Sequence, residues 1–200
     1  VRTRDERWLI SRTGGTQGQV GARDVMVQQL GTDTVPRPLL ASAAFDEAAV
    51  ALSPDGRHLA MAVSEEGRAR LWVRDFDALD PRPLPGGEGA QYPFWSPDSR
   101  TIAFESADSK LKRIDIDGGS PATVTDVKNR VRGGAWNEDG VILFGVGRGP
   151  LQQVPATGGD PKPLRLAPGE VRQSNPHFLP DGRHFLYSSC FQKPGLLFQK

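Results

Sequence analysis

The sequence predicts an all-β protein, a β-propeller of about five four-stranded blades built on a ~42-residue repeat. Three observations predict it. One turn recurs at nearly constant spacing, the apolar runs between turns are short, and glycine and proline fall at fixed offsets from those turns.

The turn is Ser53-Pro54-Asp55-Gly56, Ser96-Pro97-Asp98-Ser99, Asn137-Glu138-Asp139-Gly140 and Leu179-Pro180-Asp181-Gly182. Its aspartates stand at 55, 98, 139 and 181, in steps of 43, 41 and 42. A weaker copy, Thr3-Arg4-Asp5-Glu6, precedes them. Serine at the first position, proline at the second and glycine at the fourth suit a type I turn. Proline presets φ, and the aspartate side chain can bond nearby backbone amides. The turn therefore reads as the hairpin from the innermost strand of a blade to its second strand, and its aspartates as structural.

A strand precedes each turn and usually ends on a large apolar residue: Leu52, Trp95, Trp136, Phe178. A second follows it, at Trp8, Leu59, Ile102, Ile142 and Phe185. A third lies near Val25, Leu71, Leu111 and Leu151. A fourth follows the prolines 81, 121 and 161, each 40 apart. Pro38, Pro83 and Pro163 fall inside this fourth strand, where a missing N–H is tolerated only on an outer edge. The alanine-rich window 39–52 is long enough for a helix, but no other copy repeats it. The chain reads as one domain, 1–200, with units at approximately 1–42, 43–87, 88–128, 129–170 and 171–200. The first and last units are incomplete, so the chain is expected to be a fragment of a larger propeller or an incomplete ring. Cut in this way it exposes strand edges, and the chain is expected either to close imperfectly or to assemble as a homo-oligomer through those edges.

The bulk composition agrees. Gly 23 and Pro 17 supply the turns, and hydrophobic residues make up 37%. With 25 basic and 24 acidic residues the net charge is +1, which gives no bulk reason to expect nucleic acid or an anionic membrane. No apolar stretch approaches the ~20 residues of a membrane helix. Cys190 is the single cysteine, so no internal disulfide forms, and it reads as a strand thiol.

Segment 92–104, with Trp95-Ser96-Pro97-Asp98 at its centre, followed by residues 111–116 and Asp117-Gly118-Gly119-Ser120-Pro121, resembles the TolB-like, WD-like propeller repeat of bacteria. The run from Phe45 through Leu52-Ser53-Pro54-Asp55-Gly56-Arg57 to Trp72-Val73-Arg74-Asp75 is most similar to propellers attached to bacterial serine/threonine protein kinases. The resemblance implies a sensor or scaffold domain of a signalling protein, periplasmic or otherwise outside the cytoplasm. It also extends to the propellers that accompany prolyl-oligopeptidase-like hydrolases. No kinase motif is present in the chain.

No catalytic constellation emerges from the residues. His58 and His184 occupy equivalent positions in separate copies and read as structural. His177, on an innermost strand, is the one histidine kept as a site candidate, with no Gly-x-Ser-x-Gly elbow to partner it. Asp115-Ile116-Asp117-Gly118 is too short for a calcium loop and reads as a hairpin turn. The glycine-rich run 13–21 lacks the Lys-Ser/Thr of a phosphate loop. No metal or cofactor is expected. The alternatives to a binding propeller are an accessory propeller of a prolyl-oligopeptidase-like hydrolase and an enzyme working at the channel mouth, of lyase or lactonase type.

Propeller ligands sit at the channel mouth, lined by the starts of the innermost strands. Aligning the copies puts Ala48, Gln91, Arg132 and Ser174 at one position and Ala49, Tyr92, Gly133 and Asn175 at the next, with Glu47 one residue before. The expected ligand-binding residues are Glu47, Gln91, Tyr92, Arg132, Ser174, Asn175 and His177. They vary on a fixed scaffold, as a binding rim does and as unconstrained surface also does. Their mix suits a protein, a peptide or a small polar ligand.

Overall fold

The computed structural model describes residues 8–12, 25–29, 31–33, 35–38, 45–65, 67–78 and 80–191. Blade 1 holds β1 (Trp8–Arg12), β2 (Val25–Gln29) and β3 (Arg37–Pro38). Blade 2 holds β4 (Phe45–Leu52), β5 (His58–Glu65), β6 (Arg68–Asp75) and β7 (Arg82–Glu88). Blade 3 is β8 (Gln91–Trp95), β9 (Thr101–Ser106), β10 (Lys110–Asp115) and β11 (Ala122–Asp126). Blade 4 is β12 (Val131–Trp136), β13 (Val141–Val146), β14 (Gln152–Pro155) and β15 (Lys162–Pro163). Blade 5 shows β16 (Glu170–Phe178) and β17 (Phe185–Phe191). Each sheet is an antiparallel meander in chain order, and no described residue is helical. The described part of the alanine-rich window is strand β4. The Thr3–Glu6 turn, the glycine-rich run 13–21 and the third strand of the last copy lie outside the described residues.

Adjacent blades meet through their innermost strands: β4 lies against β8, β8 against β12 and β12 against β16. Blades 3 and 4 therefore have described neighbours on both faces, and the second strands of blades 2 to 4 are buried, whereas β17 of blade 5 is largely exposed. In β5, Leu59, Met61 and Val63 form one cluster with Trp72 and Phe76, while Ala60 turns the other way. It meets Ile102 and Phe104 of blade 3 together with Leu71, Val73 and Leu84. In the same manner Ile142 and Phe144 of β13 pack with Phe94, Ala103 and Leu111 across the next seam. Side chains alternate across a strand, so burial on both sides turns a second strand into an unbroken apolar run.

The recurrent turn is a closed hydrogen-bond unit. In blade 3 the Ser96 hydroxyl donates to Asp98 Oδ1 at 2.6 Å and accepts from the Thr101 amide at 2.9 Å, while the Arg100 amide donates to Asp98 at 3.1 Å. The hydrogen bond from Ser96 holds the Asp98 carboxyl below its usual range. Blade 2 repeats the set with Ser53, Asp55, Arg57 and His58. Blade 4 replaces it: Asn137 Oδ1 accepts from the Val141 amide at 2.8 Å, and Asn137 Nδ2 donates to the Gly182 carbonyl of blade 5 at 2.8 Å. In blade 5, His184 and the amides of Arg183 and His184 hold the Asp181 carboxyl down to about 2. The turns also stitch the blades together, because Ser99 Oγ accepts from the Asp55 amide at 3.0 Å and Trp95 Nε1 donates to the Ala51 carbonyl at 2.8 Å.

Pro38, Pro83 and Pro163 all stand in outermost strands, as the lost-donor argument requires. The Asp115–Gly118 hairpin closes by the Gly118 amide donating to the Asp115 carbonyl at 2.9 Å.

Because Ser96 is buried and Thr101 depends on it, Ser96→Ala is expected to lower the unfolding free energy by about 1–3 kcal/mol in urea titration. Asp139→Asn, in the blade where Asn137 does this work, is expected to change it by no more than about 0.5 kcal/mol. Equal losses in the two variants would contradict the assignment.

Candidate functional site

Every innermost strand of blades 2 to 5 carries a register shift at the same level, between Glu47 and Ala49, Gln91 and Phe94, Val131 and Gly134, and Ser174 and His177. The residue at the shift takes positive φ in three of them: Tyr92 at 49°, Gly133 at 79° and Asn175 at 50°. Glycine enters this region freely and asparagine tolerates it, whereas tyrosine does so only against a steric cost. A bulge of this kind bends the strand and re-aims the side chains beside it. The sequence alignment placed these residues at one position, but nothing in the alternation of side chains announces a left-handed residue there.

The bulge sorts the expected rim residues by depth. Counterparts of Glu47, namely Ala90, Val131 and Gln173, are buried. At the next position Gln91 is half-buried, Arg132 exposed and Ser174 buried, with 6% of its surface accessible. Ser174 is therefore enclosed at the seam rather than open to the channel mouth. Tyr92 lies partly buried against the core cluster of blades 3 and 4. Asn175 and His177 are exposed on β16. Adjacent rims touch closely: a Cβ added at Gly133 would stand 2.8 Å from Asn175 Oδ1, and one added at Gly134 would stand 2.3 Å from the Phe94 ring.

Below the rim, polar groups cross the seams. Glu105 Oε2 accepts from the Val131 amide at 3.0 Å, and burial pushes the Glu105 carboxyl up against that bond. Gln173 Oε1 accepts from the Leu151 amide at 3.1 Å, while its Nε2 donates to Glu170 Oε2 at 2.8 Å. The Ser189 hydroxyl donates to the other oxygen of Glu170.

On the face where the innermost strands begin, an open cavity of about 820 Å³ spans blades 2, 3 and the start of blade 4. Its walls are residues 67–70, 88–91, 105–109 and 127–130 in part, and they bring together Arg68, Arg70, Lys128 and Arg130. Gln91 is the expected rim residue that lines it, accepting from Arg130 Nη1 at 3.0 Å. Sequence reasoning missed the basic residues. The available signal was their spacing, Arg68 with Arg70 and Lys128 with Arg130, which puts each pair on one side of an extended segment.

The histidines are accounted for locally. His58 Nδ1 bonds Asp75 Oδ1 at 2.5 Å and its ring lies 6.0 Å from that of Trp95. His184 pairs with Asp181 of its own turn. Among the described residues no group of three His, Cys, Asp or Glu side chains is placed to hold a metal ion. No helix among them is long and apolar enough to cross a membrane. Cys190 is free and half-buried in β17.

No protein-family model matches the sequence, and no curated protein matches it. Solved structures do. A TolB-type protein of Agrobacterium tumefaciens superposes with TM-score 0.74 at 20% identity, over 96% of this chain and 73% of that one. TolB from Acinetobacter baumannii gives 0.67 at 13% identity, over 93% and 50%. An oligogalacturonate lyase in complex with manganese gives 0.69 at 16% identity, over 96% and 58%. The fold is that of a TolB-like β-propeller. The chain spans part of the length of each of these structures, as a partial propeller does.

Since Gly133 combines positive φ with direct contact to Asn175, Gly133→Ala is expected to destabilise the protein by more than about 1 kcal/mol in thermal or urea unfolding. Asn175→Gly, which suits the same backbone, is expected to leave stability within about 0.5 kcal/mol. Tolerance of Gly133→Ala would contradict the bulge.

Proposed function

We propose that this chain is a non-catalytic binding propeller whose ligand is a protein or peptide, held on the face where the innermost strands begin. The observation that carries the reading is the repeated bulge. One backbone device is kept in four blades while the residues at that level differ: Ala48 and Ala49, Gln91 and Tyr92, Arg132 and Gly133, Ser174 and Asn175. Backbone strain at a residue such as Tyr92 persists only where the surroundings over-determine it, and such strain clusters at ligand sites. A complex of nidogen with laminin also shares the fold, with TM-score 0.67 at 12% identity, which supports protein binding as a use of this architecture.

The finer role follows the sequence resemblance: a sensor or scaffold domain of a bacterial signalling protein, outside the cytoplasm, as in propellers attached to kinases. Pairing between chains through blade edges belongs to the same proposal.

The test is selection of peptides from a random display library on the full chain, followed by hydrogen-exchange mapping of the bound state. Protection is expected at Gln91, Arg132 and Asn175, with binding lost in Arg132→Glu. Protection confined to the Ser-Pro-Asp turns on the opposite face, or selection of no peptide, would overturn the proposal.

A further inference from the structure

We infer that the cavity between blades 2 and 4 is a second site, one that takes an acidic peptide segment through Arg68, Arg70, Lys128 and Arg130. It goes beyond the rim reading and does not depend on Arg132, Asn175 or His177.

Charge placement carries the inference. Arg68 and Arg70 stand two apart at the start of β6, so they share one side of the strand. Lys128 and Arg130 approach from the connection between β11 and β12. All four are exposed in the wall of one cavity. Among the described residues, Arg68, Arg70, Lys128 and Arg130 form no ion pair. Beside the cavity Asp126 holds Lys110 at 2.6 Å and Asp108 holds Lys112 at 2.8 Å, while in the wall itself Glu88 stands across the ladder from Arg70 and Glu105 accepts from the Val131 amide near Arg130. Arg130 donates from Nη1 to Gln91, which orients its guanidinium across the seam. Four cations against the two wall carboxylates, Glu88 and Glu105, leave an excess of positive charge among the described lining residues, and an anion that pairs with it relieves the repulsion.

The rest of the lining selects among anions. Glu88 and Glu105 leave acceptor oxygens in the wall, and carboxylates accept only. A phosphate chain has no donors to offer them. A peptide carries N–H groups that they can bind beside the carboxylates that the arginines and lysine bind. No aromatic side chain lines the cavity, so it lacks the stacking platform that single-stranded nucleic acid uses.

The test is fluorescence anisotropy of a labelled oligoglutamate peptide with the full chain at low salt. Saturable binding is expected, with affinity at least ~10-fold weaker in Arg68→Glu/Arg70→Glu and in the milder Lys128→Gln/Arg130→Gln. Oligoglutamine is expected not to bind. A control with the same change in net charge, Lys162→Glu/Arg165→Glu at the outer edge of blade 4, is expected to bind as the unmodified chain does. Circular dichroism establishes that each variant is folded. The proposal is overturned by absence of oligoglutamate binding, by equal loss in the control, or by tighter binding of oligogalacturonate or single-stranded DNA than of the peptide.

Discussion

Everything in this chain rests on the packing of one innermost strand against the next. A single blade is too thin to bury its own second strand. Ala60, Ile102, Phe104 and Trp95 are covered only because blades 2 and 3 face each other, and Phe94 finds its place because blade 4 puts a glycine, Gly134, against the ring. Burying a phenylalanine side chain contributes about 1.5–3 kcal/mol, so the seams supply much of the driving force for folding. In repeat architectures of this kind stability is a sum over units and their interfaces. The polar ties at the same seams fix the register in which the apolar faces meet: Trp95 to Ala51, Glu105 to Val131, Asn137 to Gly182.

The rim follows from that packing. An innermost strand held at the seam by its buried start, at Ala90, Val131 or Gln173, must bend to reach the turn at its other end. The bulge supplies the bend, with Tyr92, Gly133 and Asn175 in the left-handed region. Since the backbone does the work, the side chains at that level are free to differ from blade to blade. The basic cavity nearby is made differently. It collects residues from two hairpin turns and two connections that the meander brings to the same face, and it owes nothing to the repeated turn.

The fold was legible in the sequence because its determinants are local. The Ser-Pro-Asp turns needed only neighbouring residues to close, and their spacing reported the blade. Proline at 38, 83 and 163 marked the outer strands through the chemistry of a missing donor. The site was less legible. The alignment found the rim positions, yet Ser174 is enclosed and Tyr92 half-buried because depth depends on the adjoining blade, which no single segment records. The grouping of Arg68 and Arg70 with Lys128 and Arg130 is tertiary in the same sense, since each pair looks like an ordinary solvated strand end until the blades are set side by side.

The central claim, that a shared left-handed bulge sets adjacent rims in contact, is tested most directly by nuclear Overhauser spectroscopy of the labelled chain. Positive φ brings a residue's amide proton and Hα closer than an extended strand does. Strong intraresidue amide–Hα cross-peaks are therefore expected at Tyr92 and Asn175, together with cross-peaks between Gly133 and Asn175 across the seam. Weak intraresidue peaks with an unbroken extended pattern through Tyr92 and Asn175 would contradict the account, and the rim would have to be rebuilt on regular strands.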